Sequence, residues 1–97
     1  AGHVERLARN RALADQFFAS RPEIEAAPMP HAITLFPKLL HGSPERLDDL
    51  LRSKYDASIV PGRFFGLADH FRIGVGGPTE IVAGGLERIG AALEELG

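Results

Sequence analysis

The stretch His70-Phe71-Arg72-Ile73-Gly74-Val75-Gly76-Gly77 decides how this chain folds and where it could bind a ligand. As a β-strand, it would place Phe71, Ile73 and Val75 on one face, which is an ordinary core face. Arg72 would lie on the other face with His70 and two glycines, which leave room beside a long cation. Such a guanidinium can bind a carboxylate or phosphate through two parallel hydrogen bonds. The same pattern also fits a structural ion pair, or glycines that allow close helix packing.

The composition indicates one ordinary globular domain spanning residues 1–97. The net charge is −2 and the charges are interspersed, and there is one tyrosine and no tryptophan. Neither a basic stripe nor a stacking platform points to nucleic acid, so we expect no nucleic-acid partner. Ala1-Gly2-His3 could be a cloning remnant, and the sequence gives these residues no structural weight.

The absence of cysteine and the hydropathy of the chain bear on its cellular location. The chain has no cysteine, which excludes disulfides and is consistent with a cytoplasmic protein. No apolar run approaches the roughly 20 residues that span a bilayer, and no signal-peptide pattern opens the chain. We therefore expect a cytoplasmic protein with no membrane partner.

Apolar spacing and turn residues predict the order helix, strand, helix, strand, strand, helix. Prolines make the stretch 21–30 a loop, and Ser43-Pro44-Glu45 has the residues of a helix start. The predicted helices are 4–20, 43–55 and 80–96, the last capped by Thr79, and the predicted strands are 32–36, 57–60 and 71–75. We predict an α+β fold: a small three-stranded sheet with three helices packed mainly on one face.

The polar residues do not assemble an evident catalytic or metal-binding set. The glycine-rich turn 74–79 lacks the third glycine of a dinucleotide fingerprint and a Walker lysine. The four histidines have no metal-ligand spacing, and the serines lack a nucleophile-elbow pattern. Lys38 and Lys54 are the only lysines, and neither lies in an apolar setting that would suit a Schiff base. Asp48, Asp49, Glu94 and Glu95 are expected to be solvated.

Several segments together resemble the carboxy-terminal small domain of class I/II aminotransferases, the fold type I family that depends on pyridoxal 5′-phosphate (PLP). The resemblance covers nearly the whole chain, and the segments occur in the family's order. They are 10–18, similar to the helix that enters the small domain; 32–37, similar to its first strand; 43–55, similar to the next helix; 60–66, similar to "V-x-P-G-x-x-F"; 70–76, similar to "R-[IL]-x-[FV]"; and 84–89, similar to "G-L-x-R-[IL]".

The resemblance implies a role for Arg72. The family's arginine at this strand position binds the α-carboxylate of the amino-acid substrate. The implied function is substrate-carboxylate binding and domain closure in an enzyme that transfers an amino group between an amino acid and a 2-oxo acid. The implied partners are the amino-acid carboxylate and the large domain of a parent enzyme.

The chain also lacks residues that the family needs for catalysis. Its Schiff-base lysine, the aspartate paired with the pyridine nitrogen and the phosphate-binding residues belong to the large domain, and none has a counterpart here. We therefore expect a carboxy-terminal fragment that binds no PLP alone and is inactive alone. Phe64, Phe65 and the Phe17-Phe18 pair could expose apolar surface, with which a homodimer is compatible. The alternative is a stand-alone, non-catalytic α+β module that binds a ligand or a protein.

Overall fold

A computed structural model of the chain describes residues 2–26 and 34–96. The predicted strand 32–36 therefore lies partly outside the described residues, and so does His31. The elements in chain order are α1 (Gly2–Ala19), β1 (Ile24–Glu25), β2 (Thr34–Leu35), β3 (Lys38–Leu39), α2 (Pro44–Leu50), a π-helical segment (Leu51–Tyr55), β4 (Val60–Pro61), a 3-10 segment (Gly62–Phe65), β5 (Phe71–Gly74) and α3 (Thr79–Leu96).

The central feature is an antiparallel three-stranded sheet in the order β2-β5-β4. In β5, Phe71 is fully buried and Ile73 packs against the core. Opposite them lie Pro61 and Leu35 on the same face, and both are buried. The alternation predicted for this strand is therefore confirmed.

All three helices contribute to one hydrophobic core against this face of the sheet. α1 provides Ala14 and Phe18, and α2 provides Leu47, which is fully buried. α3 contributes Val82, Leu86, Ile89 and Leu93. Burying a side chain of this size contributes about 1.5–3 kcal/mol. The predicted α+β class, with a small sheet covered by three helices, is confirmed.

The strands depart from the prediction in two places. Residues 21–26, predicted as part of a loop, contain β1, which pairs with β3 and is anchored by the buried Ile24. The strand predicted at 57–60 begins only at Val60. Its backbone has other partners before that point, since the Ala57 amide donates to the Leu51 carbonyl and the Ile59 amide donates to Asp48 Oδ1.

Asp48 is therefore not the solvated residue that the sequence predicted. It is 7% exposed and accepts hydrogen bonds from the Ile59 amide at 3.0 Å and from Arg52 Nε at 2.8 Å. An acidic side chain on a leucine-striped helix looks solvent-facing when only the helix is considered. The neighbouring Asp49 is exposed, as expected.

The predicted helix ends are correct to within a few residues, but some of the hydrogen bonds at these ends differ from those predicted. α1 begins at Gly2 rather than Val4. Ser43 caps α2 by accepting from the Arg46 amide, and the helix reaches Tyr55 only as a π-helical segment. Thr79 does not cap α3, because the Pro78 carbonyl accepts the Ile81 and Val82 amides instead.

Two aromatic predictions on α1 need correction. Phe18 is 6% exposed and lies in the core. Phe17 packs against the core and lies close to Gly90 of α3, where an added Cβ would be 3.2 Å from the ring. The pair therefore joins two helices and is not an exposed patch. By contrast, Phe64 and Phe65 are exposed, as predicted.

A polar clamp ties α1 to the turn that follows β5. Asn10 is completely buried, and its Nδ2 donates to the carbonyls of Val75 and Gly77, each at 2.8 Å. Arg6 Nη2 donates to the Gly76 carbonyl at 3.2 Å. The clamp therefore fixes the end of the Arg72 strand relative to α1.

Replacing Asn10 with alanine is expected to destabilise the chain by about 1–3 kcal/mol, because the Val75 carbonyl loses its side-chain donor while it stays buried. The measurement is urea unfolding of the 97-residue chain, followed by circular dichroism. Asp15→Ala is the matched control on an exposed position of the same helix and should change stability by less than about 0.5 kcal/mol. Equal effects of the two substitutions would contradict a role for the clamp.

Candidate functional site

Arg72 lies in the middle of β5, on the face opposite the core. It pairs across the sheet with Val60, while Gly74 pairs with Thr34. Side chains directly opposite each other in an antiparallel sheet share a face. Arg72 thus shares its face with a valine, a threonine and a glycine, none of which has a charge to neutralise it.

The Arg72 guanidinium contacts Phe65, which is one ring of an aromatic pair. Its central carbon lies 4.9 Å from the centre of the Phe65 ring, which is a cation–π distance. The Phe65 ring in turn meets Phe36 edge to face, with ring centres 6.0 Å apart. Within residues 2–26 and 34–96, the guanidinium has no hydrogen-bond or ion-pair partner. Its N–H donors are therefore available to a ligand.

A cavity of about 470 Å³ adjoins this position. Its lining includes Arg72 of β5 and Val60 of β4, and it reaches the core side of the sheet at Ile73 and, on α3, at Leu86. The lining is mainly apolar, with a cationic strand residue among it. A small organic anion with an apolar portion fits such surroundings.

A closed loop places Phe65 beside Arg72. The Gly62 amide donates to the His70 carbonyl at 2.6 Å, and the Leu67 amide donates to the Gly62 carbonyl at 2.9 Å. The loop thus leaves the sheet at Gly62 and returns to it at His70, and these two residues are joined by a hydrogen bond. His70 lies two residues before Arg72. Gly62 permits this contact, since an added Cβ would lie 2.6 Å from the His70 carbonyl oxygen.

Two other cations near these elements, Arg63 and Lys54, are already paired. Arg63 lies over Phe64 and forms an ion pair with Glu45 at 3.3 Å. Lys54 bonds the Glu95 carboxylate, whose hydrogen bond and charge raise the pKa of Lys54 above 10.5. Glu95, expected to be merely solvated, is its partner.

The remaining predicted polar residues do not form a second site. His70 is half-buried, and its Nδ1 has no hydrogen-bond partner in the described part of the chain. Within residues 2–26 and 34–96, no group of three or more histidine, cysteine, aspartate or glutamate side chains could hold a metal ion. No helix of the described part is long and apolar enough to cross a membrane.

Comparisons with known proteins place this arrangement in a known fold. No protein-family model matches the chain, and no curated protein matches it. Solved structures do match. A PLP-dependent aminotransferase from Streptococcus suis 89-1591 is 23% identical with a TM-score of 0.90, and the match covers 98% of this chain and 26% of that one.

Two further structures agree. Tyrosine aminotransferase from Leishmania infantum is 17% identical with a TM-score of 0.85, covering 96% of this chain and 24% of that one. Cystalysin from Treponema denticola, which contains PLP, is 22% identical with a TM-score of 0.82, covering 99% of this chain and 26% of that one. The chain has the fold of a PLP-dependent aminotransferase domain. It spans about a quarter of the length of these proteins.

The aminotransferase-domain fold confirms the resemblance inferred from sequence, and it shows what sequence reasoning missed at the site. The strand position of Arg72 was predicted, but its contact with Phe65 was not. The sequence places Phe64-Phe65 in a loop and gives no sign of which ring faces the strand. The signal that could have found Phe65 is Pro61-Gly62, because a glycine that must approach the strand fixes where the following aromatic residues lie.

Proposed function

We propose that this chain is the substrate-carboxylate-binding and closure domain of a PLP-dependent aminotransferase that transfers an amino group between an amino acid and a 2-oxo acid. Arg72 binds the α-carboxylate of the amino acid. The observation that supports this most directly is the Arg72 guanidinium, which lies against Phe65 and has no hydrogen-bond or ion-pair partner among the described residues. Arg72 is also one of the residues that line the cavity.

The chemistry of arginine suits this role. A guanidinium stacked through its face keeps its donors at its edge, where two of them match the two oxygens of a carboxylate. Arg72 is half-buried, so each hydrogen bond to an ionised partner contributes more than it would in open water. The site would therefore hold the carboxylate in a defined orientation, which leaves the amino group free to point elsewhere.

In this proposal neither lysine of this chain holds PLP. Lys54 is engaged by Glu95, and Lys38 is half-buried in β3, where it forms a backbone bridge with His70, two residues before Arg72. PLP acts as an electron sink at the carbon that bears the amino group when an enzyme holds it. In this proposal a large domain of the same protein holds PLP, and this chain contributes the substrate carboxylate site.

Closure is the second half of the proposal. Bringing Arg72 over a substrate held by the large domain would orient the substrate and exclude water from it. The clamp by Asn10 moves the end of β5 together with α1, as closure requires. A homodimer and a cytoplasmic location belong to the same proposal.

The coding sequence upstream of residue 1 distinguishes this function from a stand-alone binding module. A continuous reading frame of some hundreds of residues, with a lysine segment of the family type, supports the aminotransferase. A stop codon and a ribosome-binding signal just before Val4 support the non-catalytic module. In the longer protein, an amino acid should bind more tightly than the amine that lacks its carboxylate, and equal affinities would contradict a carboxylate site.

The 97-residue chain on its own is expected to give no stable PLP absorbance band after incubation with the cofactor and removal of the excess. The reason is that, in this proposal, the residues that hold PLP belong to the large domain. The measurement is an absorbance spectrum of the desalted protein. A stable band that disappears in Lys38→Ala or Lys54→Ala would contradict the assignment of PLP binding to another domain.

A further inference from the structure

We propose that Phe65 is a positioning residue for substrate binding: its ring orients the Arg72 guanidinium so that the N–H edge faces the carboxylate. This inference rests on the proposed function. It assigns a role to an aromatic side chain that the core does not need, since Phe65 is 43% exposed and is not part of the hydrophobic core.

Phe65 contacts the Arg72 guanidinium directly. The guanidinium carbon lies 4.9 Å from the Phe65 ring centre, and no described residue accepts a hydrogen bond from this guanidinium. An arginine side chain has several rotatable bonds, so an unpaired one samples many orientations. The ring is therefore the one polarisable surface in the described structure that restrains the plane of this guanidinium.

Phe65 is itself restrained by a neighbouring ring and by the backbone of its loop. Phe36, which directly follows β2, meets the ring edge to face at 87°. The backbone of the loop is fixed by the hydrogen bonds of Gly62 and Leu67, and Gly66 ends the 3-10 segment in the left-handed region with φ 76°. The ring thus has a defined position relative to β5.

An aromatic contact is compatible with carboxylate binding. A guanidinium that stacks on a ring keeps its N–H donors at its edge, where they can bind a carboxylate. A carboxylate in the place of Phe65 would neutralise Arg72 and occupy the donors, as Glu45 does for Arg63.

The test uses the full-length protein and a matched pair of ligands. 3-Phenylpropionate carries a carboxylate, and 3-phenylpropanamide has the same carbon skeleton without the charge. Calorimetry gives the Kd of each for wild type, Phe65→Leu, Phe65→Tyr, Phe64→Leu and Arg72→Lys. Phe64 is the matched control because it stacks on the paired Arg63 in the same loop.

Phe65→Leu is expected to raise the Kd of the carboxylate about 3- to 30-fold and to leave the Kd of the amide unchanged. Phe65→Tyr should bind both ligands as tightly as wild type does, because it keeps the ring and its hydroxyl can reach solvent. Phe64→Leu should match wild type for both ligands.

The outcomes separate the two proposals. If Arg72→Lys weakens carboxylate binding but Phe65→Leu does not, the positioning role is wrong and the proposed function stands. An equal loss of both ligands in Phe65→Leu would also overturn the positioning role, because it would indicate a disturbed loop. If Arg72→Lys leaves carboxylate binding unchanged, or wild type does not prefer the carboxylate, the proposed function itself fails.

Discussion

Gly62→Ala is expected to destabilise the chain by about 3 kcal/mol or more, the largest effect on stability of any substitution considered. The added Cβ would lie 2.6 Å from the His70 carbonyl oxygen and would also overlap the Leu67 carbonyl oxygen. Both obstacles are backbone atoms that cannot rotate away, so the loop must move. That movement breaks the hydrogen bond from the Gly62 amide to the His70 carbonyl. The free-energy costs of overpacking and of the lost hydrogen bond are then added together.

The measurement is urea unfolding of the 97-residue chain. The control is Gly84→Ala in α3, where an added Cβ meets nothing within 4 Å. That substitution should stabilise the chain by about 0.5–1 kcal/mol, because alanine favours a helix more than glycine does. The two glycine-to-alanine changes are thus expected to have opposite signs. A loss below about 1 kcal/mol for Gly62→Ala would mean that the loop relaxes easily and does not fix Phe65.

The second large effect is expected for Arg72→Lys in the full-length protein. Lysine keeps the charge but loses the planar fork, so it cannot reproduce two parallel hydrogen bonds. We expect KM for the amino acid to rise and kcat/KM to fall by a factor corresponding to about 2–4 kcal/mol, which is about 30- to 1000-fold. Steady-state kinetics with varied amino acid measures both constants.

Arg63→Lys is the matched control for this experiment. Arg63 also lies 4.9 Å from a phenylalanine ring centre, but it is paired with Glu45 and is largely exposed. Exposed ion pairs contribute little, so its kinetics should remain close to wild type. Unchanged kinetics in Arg72→Lys would remove Arg72 from the substrate site.

Local patterns predicted the parts of the fold that depend on neighbours in sequence. The alternation in β5, the Ser43-Pro44 start of α2 and the apolar face of α3 depend on residues within a few positions of one another, and all three are confirmed. Leu96, the last residue of α3, is 36% exposed. It lies at the helix end, beyond the part that packs on the core.

Features that depend on distant partners could not be predicted in the same way. Asn10 donates to carbonyls 65 and 67 positions away, and Asp48 bonds an amide 11 positions away. Each looks like an ordinary solvent-facing polar residue on its helix until the tertiary structure brings the partner to it. The same holds at the site, where Arg72 could be placed on a face but not against Phe65.

The acceptors in the Asn10 clamp are main-chain oxygens, which every amino acid carries. The joint between α1 and β5 therefore places a strict demand on position 10 and none on the identity of the side chain at position 76. In the proposed closure, a tilt of α1 would displace the end of β5 through this joint, and the Arg72 guanidinium would move with it. We therefore expect related sequences to keep asparagine at position 10 and to vary at position 76.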